Sequence, residues 1–147
     1  MRKTVVFICT IIISICTVYV GGCSKTSKSA KTEYNIECTL DGYALSATQN
    51  VCFINNTENV IEELKFNLFA NAFRKNAKFS PISAQYLSRA YPNGMSYGDM
   101  KISQVEVDGK SANYQVCGQD ENILQVNLEK QIFPDEKVIV MIKFTVN

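Results

Sequence analysis

The sequence predicts an all-β domain. The arrangement is an antiparallel β-sandwich or saddle-shaped sheet with one long irregular insertion, preceded by a signal helix and a disordered tether. Three observations carry this reading. Seven short runs alternate apolar and polar residues with a period of two, the mark of strands with one buried face. Clusters of Asp, Asn, Gly and Thr separate the runs. Beyond residue 32 no helical pattern is sustained for more than about two turns.

The first run is Tyr34, Ile36, Cys38 and Leu40, ended by Asp41-Gly42. Val51 to Ile54 forms the second, and Asn55-Asn56-Thr57 turns the chain. In the third, Leu64, Phe66 and Leu68 alternate with Glu63, Lys65 and Asn67. Ile102, Val105 and Val107 lead into Asp108-Gly109, a strong hairpin signal because a tight β-turn needs residues that tolerate positive φ. Ala112, Tyr114 and Val116 leave that turn, and Ile123, Leu124, Val126 and Leu128 form the next run. Val138, Val140, Ile142, Phe144 and Val146 close the series. Ile139 and Met141 make part of its second face apolar.

Residues 71–99 break the pattern. They contain Pro81, Pro92, Gly94 and Gly98 and show no sustained alternation. Ser83 to Ala90 is expected to make about two helical turns, with Ser83 as N-cap and Tyr86, Leu87 and Ala90 facing inward. An insertion of this length is either a binding loop or a cover over a sheet edge. Phe66, Phe69, Phe73, Phe79, Tyr86, Tyr91 and Tyr97 gather in and before it. They read as core beneath the loop or as the lining of a peptide or glycan cleft. In the second reading Phe69, Phe73, Tyr86, Tyr91 and Tyr97 are the candidate binding surface.

The N-terminus indicates a location. Arg2 and Lys3 precede an uncharged apolar run from Val5 to Val20, followed by Gly21-Gly22-Cys23. A basic start, an apolar stretch and small residues before a cut are the parts of a secretory signal. With cysteine directly after the glycines, the stretch resembles a bacterial lipobox, which implies lipidation of Cys23 and anchoring to the outer side of the cell membrane. The competing reading is a retained N-terminal anchor, though the run is short of the about 20 residues a spanning helix needs. Ser24 to Thr32 is polar with three lysines and lacks any apolar residue larger than alanine, which suits a tether. The expected organisation is therefore a lipoprotein signal peptide over 1–22, a tether over 23–32 and one β-domain over 33–147.

Composition narrows the function classes. Without Arg2 and Lys3, thirteen basic residues face fourteen acidic ones, so the processed chain carries no basic field for nucleic acid. There is no histidine, which removes Ser/His and Cys/His nucleophile pairs. Glu62-Glu63, Asp120-Glu121 and Asp135-Glu136 are adjacent pairs whose side chains diverge on a strand, so they read as solvated turn charges. Of six cysteines, Cys9 and Cys16 fall in the signal and Cys23 is the lipid site. Cys38, Cys52 and Cys117 remain, without metal-ligand spacing. They read as half-buried small residues, with a Cys38–Cys52 bridge conceivable across neighbouring strands. No metal and no cofactor are expected.

A family resemblance adds to this reading. Tyr34-Asn35-Ile36-Glu37-Cys38-Thr39-Leu40-Asp41, Asn55-Asn56-Thr57, the segment Glu63 to Arg74, Tyr91-Pro92-Asn93-Gly94 and Pro134 to Val138 resemble, in order and spacing, the N-terminal β-domain of the zinc aminopeptidase family. That family includes aminopeptidase N and leukotriene hydrolase. The resemblance covers roughly residues 34–147, and no single motif in it is diagnostic. It implies the β-domain fold but not the chemistry. The family binds zinc through His-Glu-x-x-His on a helix, where the first glutamate activates water. None of those residues has a counterpart here. The expectation is thus a non-catalytic, truncated or stand-alone relative of that domain, with peptide or a separate catalytic domain as partner. The alternative from a different class is a surface lipoprotein with an immunoglobulin-like sandwich, acting in adhesion or assembly.

Overall fold

The computed structural model describes residues 31–147. The signal segment, Cys23 and all but the last two residues of the expected tether lie outside the described residues. Within them the chain is all-β: two antiparallel sheets pack face to face, with no barrel closure. Eight strands follow in sequence: β1 (Glu33–Asp41), β2 (Ala44–Ile54), β3 (Ile61–Asn67), β4 (Met100–Val107), β5 (Lys110–Ser111), β6 (Tyr114–Cys117), β7 (Ile123–Ile132) and β8 (Lys137–Val146). The larger sheet has the order β1-β2-β8-β4-β5 and the smaller β3-β7-β6.

Two tight hairpins sit in the larger sheet. Asp41 pairs with Ala44, leaving Gly42-Tyr43 as the loop, with positive φ at Gly42. Val107 pairs with Lys110, and both loop residues, Asp108 and Gly109, have positive φ. That is the type I′ signature, whose twist matches the flanking strands. The Asp108 carboxylate also accepts from the Ile139 N–H at 2.9 Å, tying the turn to the next strand. The spacing Ile102, Val105, Val107 skips one position because Ser103 is an extra residue. Ile102 pairs with Phe144 and Gln104 with Lys143, so a bulge between them resets the face.

The core lies between the sheets. Val51, Val105, Val138, Val140 and Ile142 come from the larger sheet, and Leu64, Leu124, Val126 and Ile132 from the smaller. Phe66 is half-buried against this cluster. Two buried asparagines hold the connections. Asn55 is fully buried and donates its amide to the carbonyls of Asn59 (2.7 Å) and Ile132 (2.9 Å). Its Oδ1 accepts from the Thr57 N–H (3.0 Å) and hydroxyl (2.7 Å). Asn71, equally shielded, donates to the Glu121 carbonyl and accepts from the Met100 N–H at 2.7 Å.

Several details differ from the sequence reading. β2 begins at Ala44, seven residues before the apolar run that signalled it. The expected helix is a 3-10 turn over Ala84–Tyr86 followed by one α-helical turn over Leu87–Ala90. Ser83 stands at the N-cap without a side-chain cap bond. Leu87 alone of the three expected inward residues is partly buried; Tyr86 and Ala90 face solvent. Cys38, Cys52 and Cys117 are free, and Cys38 is exposed rather than half-buried. A Cys38–Cys52 bridge is ruled out by register. Cys38 pairs with Ala47, while Cys52 pairs with Glu33. The five-residue offset separates the two by about 17 Å along the strand and turns them to opposite faces. A disulfide needs Cα atoms within about 7 Å.

Candidate functional site

The site is built on the irregular segment between β3 and β4. A 3-10 turn over Phe69–Phe73 leaves β3 and ends at Arg74. From there the chain is pinned to the turn between β6 and β7. The Asp120 carboxylate accepts from the N–H groups of Lys78 (2.7 Å) and Phe79 (3.3 Å). Arg74 Nη1 lies 2.6 Å from Glu121 Oε2. With the Asn71 bonds, these contacts fix a segment that has few apolar anchors of its own. Asp120 and Glu121, read from sequence as solvated turn charges, are therefore clamps on the insertion.

The segment then returns across the end of the larger sheet. Gly98 donates to the Phe73 carbonyl at 3.1 Å. Asp99 and Asn147 exchange backbone hydrogen bonds of 3.3 and 3.0 Å. A Cβ on Gly98 would overlap the Asn147 carbonyl, so glycine is what permits this close crossing. The crossing leaves a cleft of about 350 Å³ lined by Phe73, Tyr91, Tyr97, Ala70, Val146 and Asn147, among others. Tyr97, Gly98 and Asn147 also border an adjoining hollow of about 320 Å³ that contains Arg74, Lys75 and Asp99. One wall is thus aromatic and the neighbouring one is charged.

Three of the five aromatics expected at a binding surface, Phe73, Tyr91 and Tyr97, come together here. Phe69 and Tyr86 do not line the cleft, and Phe69 is 77% exposed. The reading of these aromatics as core beneath a loop does not hold for most of them. Phe69, Phe73, Phe79, Tyr86 and Tyr97 are all exposed, and Tyr91 is half-buried. The sequence reading did not single out Arg74, Lys75, Asp99 or Asn147. Arg74 and Asp99 flank the expected aromatics in sequence, but charge beside an aromatic is too common to mark a site.

A further hollow of about 290 Å³ lies between the β4–β5 hairpin and β7–β8. Asp108, Glu129 and Glu136 face Lys110, Lys130 and Lys137 around it. Charges balanced in this way create no net field for an ion, and no expected site residue lies there. Elsewhere, the outer face of the smaller sheet carries a polar network. Gln125 donates to Glu63 at 2.7 Å, and Lys65 Nζ lies 2.6 Å from Glu63. The hydrogen bond to Glu63 and its charge hold the Lys65 amine above its usual pKa.

No protein-family model and no curated protein sequence matches the chain. Among solved structures, it is similar to a two-domain M1 zinc metallopeptidase crystallised with L-tryptophan. The TM-score is 0.48 and the identity 11%, over 76% of this chain and 19% of that one. The chain thus spans about a fifth of that protein's length, and the similarity is weak and at the level of the fold.

Proposed function

We propose that this chain is an exported, lipid-anchored, non-catalytic β-domain that recognises extended peptide at the aromatic cleft. The observation that carries the binding part is the convergence of Phe73, Tyr91 and Tyr97 around one concavity, although they come from separate parts of the insertion. A volume of about 350 Å³ suits one or two side chains of a peptide. Exposed aromatic rings offer apolar area at small entropic cost. The absence of histidine from the sequence supports the non-catalytic part, since imidazole ligands are what hold catalytic zinc in the resembling family.

Calorimetric titration of the detergent-solubilised chain with unlabelled peptides tests the cleft. Binding is expected at roughly millimolar affinity, because a shallow site leaves little surplus after ordering costs. Tyr97→Ala should weaken it about tenfold. Equal heats for the variant and the parent chain would discard the cleft. The same preparation, supplied with zinc and aminoacyl reporter substrates, should show no turnover.

The anchoring part rests on Gly21-Gly22-Cys23 and the polar stretch that follows. Cells fed a clickable fatty acid should label the parent chain and not Cys23→Ala. Equal label in both would remove the lipid anchor from the proposal.

A further inference from the structure

We infer that the outer edge of β1 is a docking site for an extended segment of a partner polypeptide whose side chains alternate between apolar and basic. This site is separate from the aromatic cleft and does not depend on it.

β1 pairs with β2 on one side and with no described strand on the other. Its free side therefore presents a row of backbone donors and acceptors, the template on which an added strand forms. Proteins normally blunt such an edge with proline, charged side chains (lysine above all) or shortness, and of these β1 has only acidic side chains. β1 is nine residues long and has neither proline nor a basic residue. The other open edges differ. β5 has two residues and β6 four, and β3 carries Lys65 paired with Glu63.

The two faces of β1 define the chemistry of the occupant. Tyr34 pairs with Val51 and Cys38 with Ala47, so Tyr34, Ile36, Cys38 and Leu40 lie on the face that is core elsewhere in the sheet. Val51 and Ala47 are buried, whereas Tyr34, Ile36 and Leu40 are 62%, 53% and 69% exposed. The smaller sheet stops short of this strand. An added strand with apolar residues on the same side would extend the core face and cover that stripe. The opposite face presents Glu33, Glu37 and Asp41 at every fourth position, with no positive charge among them. Basic side chains on the incoming strand complement this line. A second copy does not. Antiparallel self-pairing along the whole strand sets Glu37 against Glu37 and Glu33 against Asp41, and like charges directly opposite are destabilising.

The probe is a nine-residue peptide of alternating valine and lysine, with an alternating valine–glutamate peptide as control. The full chain, solubilised in mild detergent, is titrated with each and followed by amide NMR and hydrogen exchange. The lysine peptide is expected to shift and protect alternate amides of β1, those pointing away from β2. Glu37→Lys lies on an exposed face and should leave the fold intact. It should weaken the lysine peptide about fivefold and strengthen the glutamate peptide. Only the β1 amides are read, so contact of either peptide with the aromatic cleft does not enter the comparison. The proposal is overturned if the lysine peptide does not protect the β1 amides, if both peptides protect them alike, or if protection appears at β3 or β6 instead. It is equally overturned if sedimentation shows a dimer whose β1 amides are already protected.

Discussion

Asn55→Ala is expected to lower the stability of the domain by about 3 kcal/mol, measured as the shift in a urea unfolding curve. The size follows from what the side chain does. Its amide satisfies two carbonyls, one of them the buried Ile132 oxygen, and its Oδ1 takes two donors from Thr57. Its backbone bonds Glu136 and Asp135 at 2.9 and 2.8 Å. One residue thereby joins the β2–β3 crossover to the β7–β8 turn. Alanine keeps the backbone bonds but loses all four side-chain bonds, including the one to the buried Ile132 carbonyl, at about 1 kcal/mol each. Asn55→Asp gives the sign of the effect. An ionised carboxylate there would face two carbonyl oxygens, so its folded pKa rises above the unfolded value of about 3.9. The folded state then holds the extra proton. The deficit should be smallest below about pH 4, where the neutral acid can donate, and should grow as pH rises through that value. A deficit independent of pH, or an unchanged midpoint for Asn55→Ala, would contradict the role given to this side chain.

Leu124→Ala is expected to cost about 3–4 kcal/mol and to lower the melting temperature by roughly 10–15 °C. Leu124 is wholly buried on the central strand of the smaller sheet, between Phe66 on β3 and Val116 on β6. It faces the β8 valines across the core, and rigid strands on both sides limit collapse into the space left behind. Val116→Ala on the edge strand is the control. That residue is 38% exposed, and its loss should cost less than half as much. Similar costs at the two positions would mean that the smaller sheet does not seal the core.

Strands whose alternation was strong were legible from the sequence, and so was the Asp108-Gly109 hairpin. The first half of β2 was not. Apart from Leu45, Ala44 to Asn50 is small and polar, and it is a strand because β1 and β8 pair with it on both sides. Asp41-Gly42, which reads as a turn at the end of the first run, is the β1–β2 hairpin turn. The bulge at Ser103 was hidden in an irregular spacing. At the candidate site, the aromatic inventory was visible but its assembly was not. Phe73 meets Tyr91 and Tyr97 through contacts of Asn71, Arg74, Asp120 and Glu121 with distant backbone, and pairings of that kind leave no period in a sequence. The same lack of a long-range register allowed Cys38 and Cys52 to look like neighbours.

The place of β8 sets the order in which the sandwich can form. The β1–β2 and β4–β5 hairpins close through two-residue loops and need nothing beyond their own residues. The slot between β2 and β4 is filled only by β8, which pairs Val146 with both Leu45 and Met100. Before it arrives, two hairpins stand apart, each with one unsatisfied side and half of a hydrophobic face. Bringing Leu45 and Val146 together closes a loop of most of the domain before any of those contacts is gained, which makes assembly slow and late. A chain emerging from its N-terminal end therefore keeps this sheet open until β8 is released. Under the proposal that the chain is exported, the delay would keep it unfolded while it crosses the membrane.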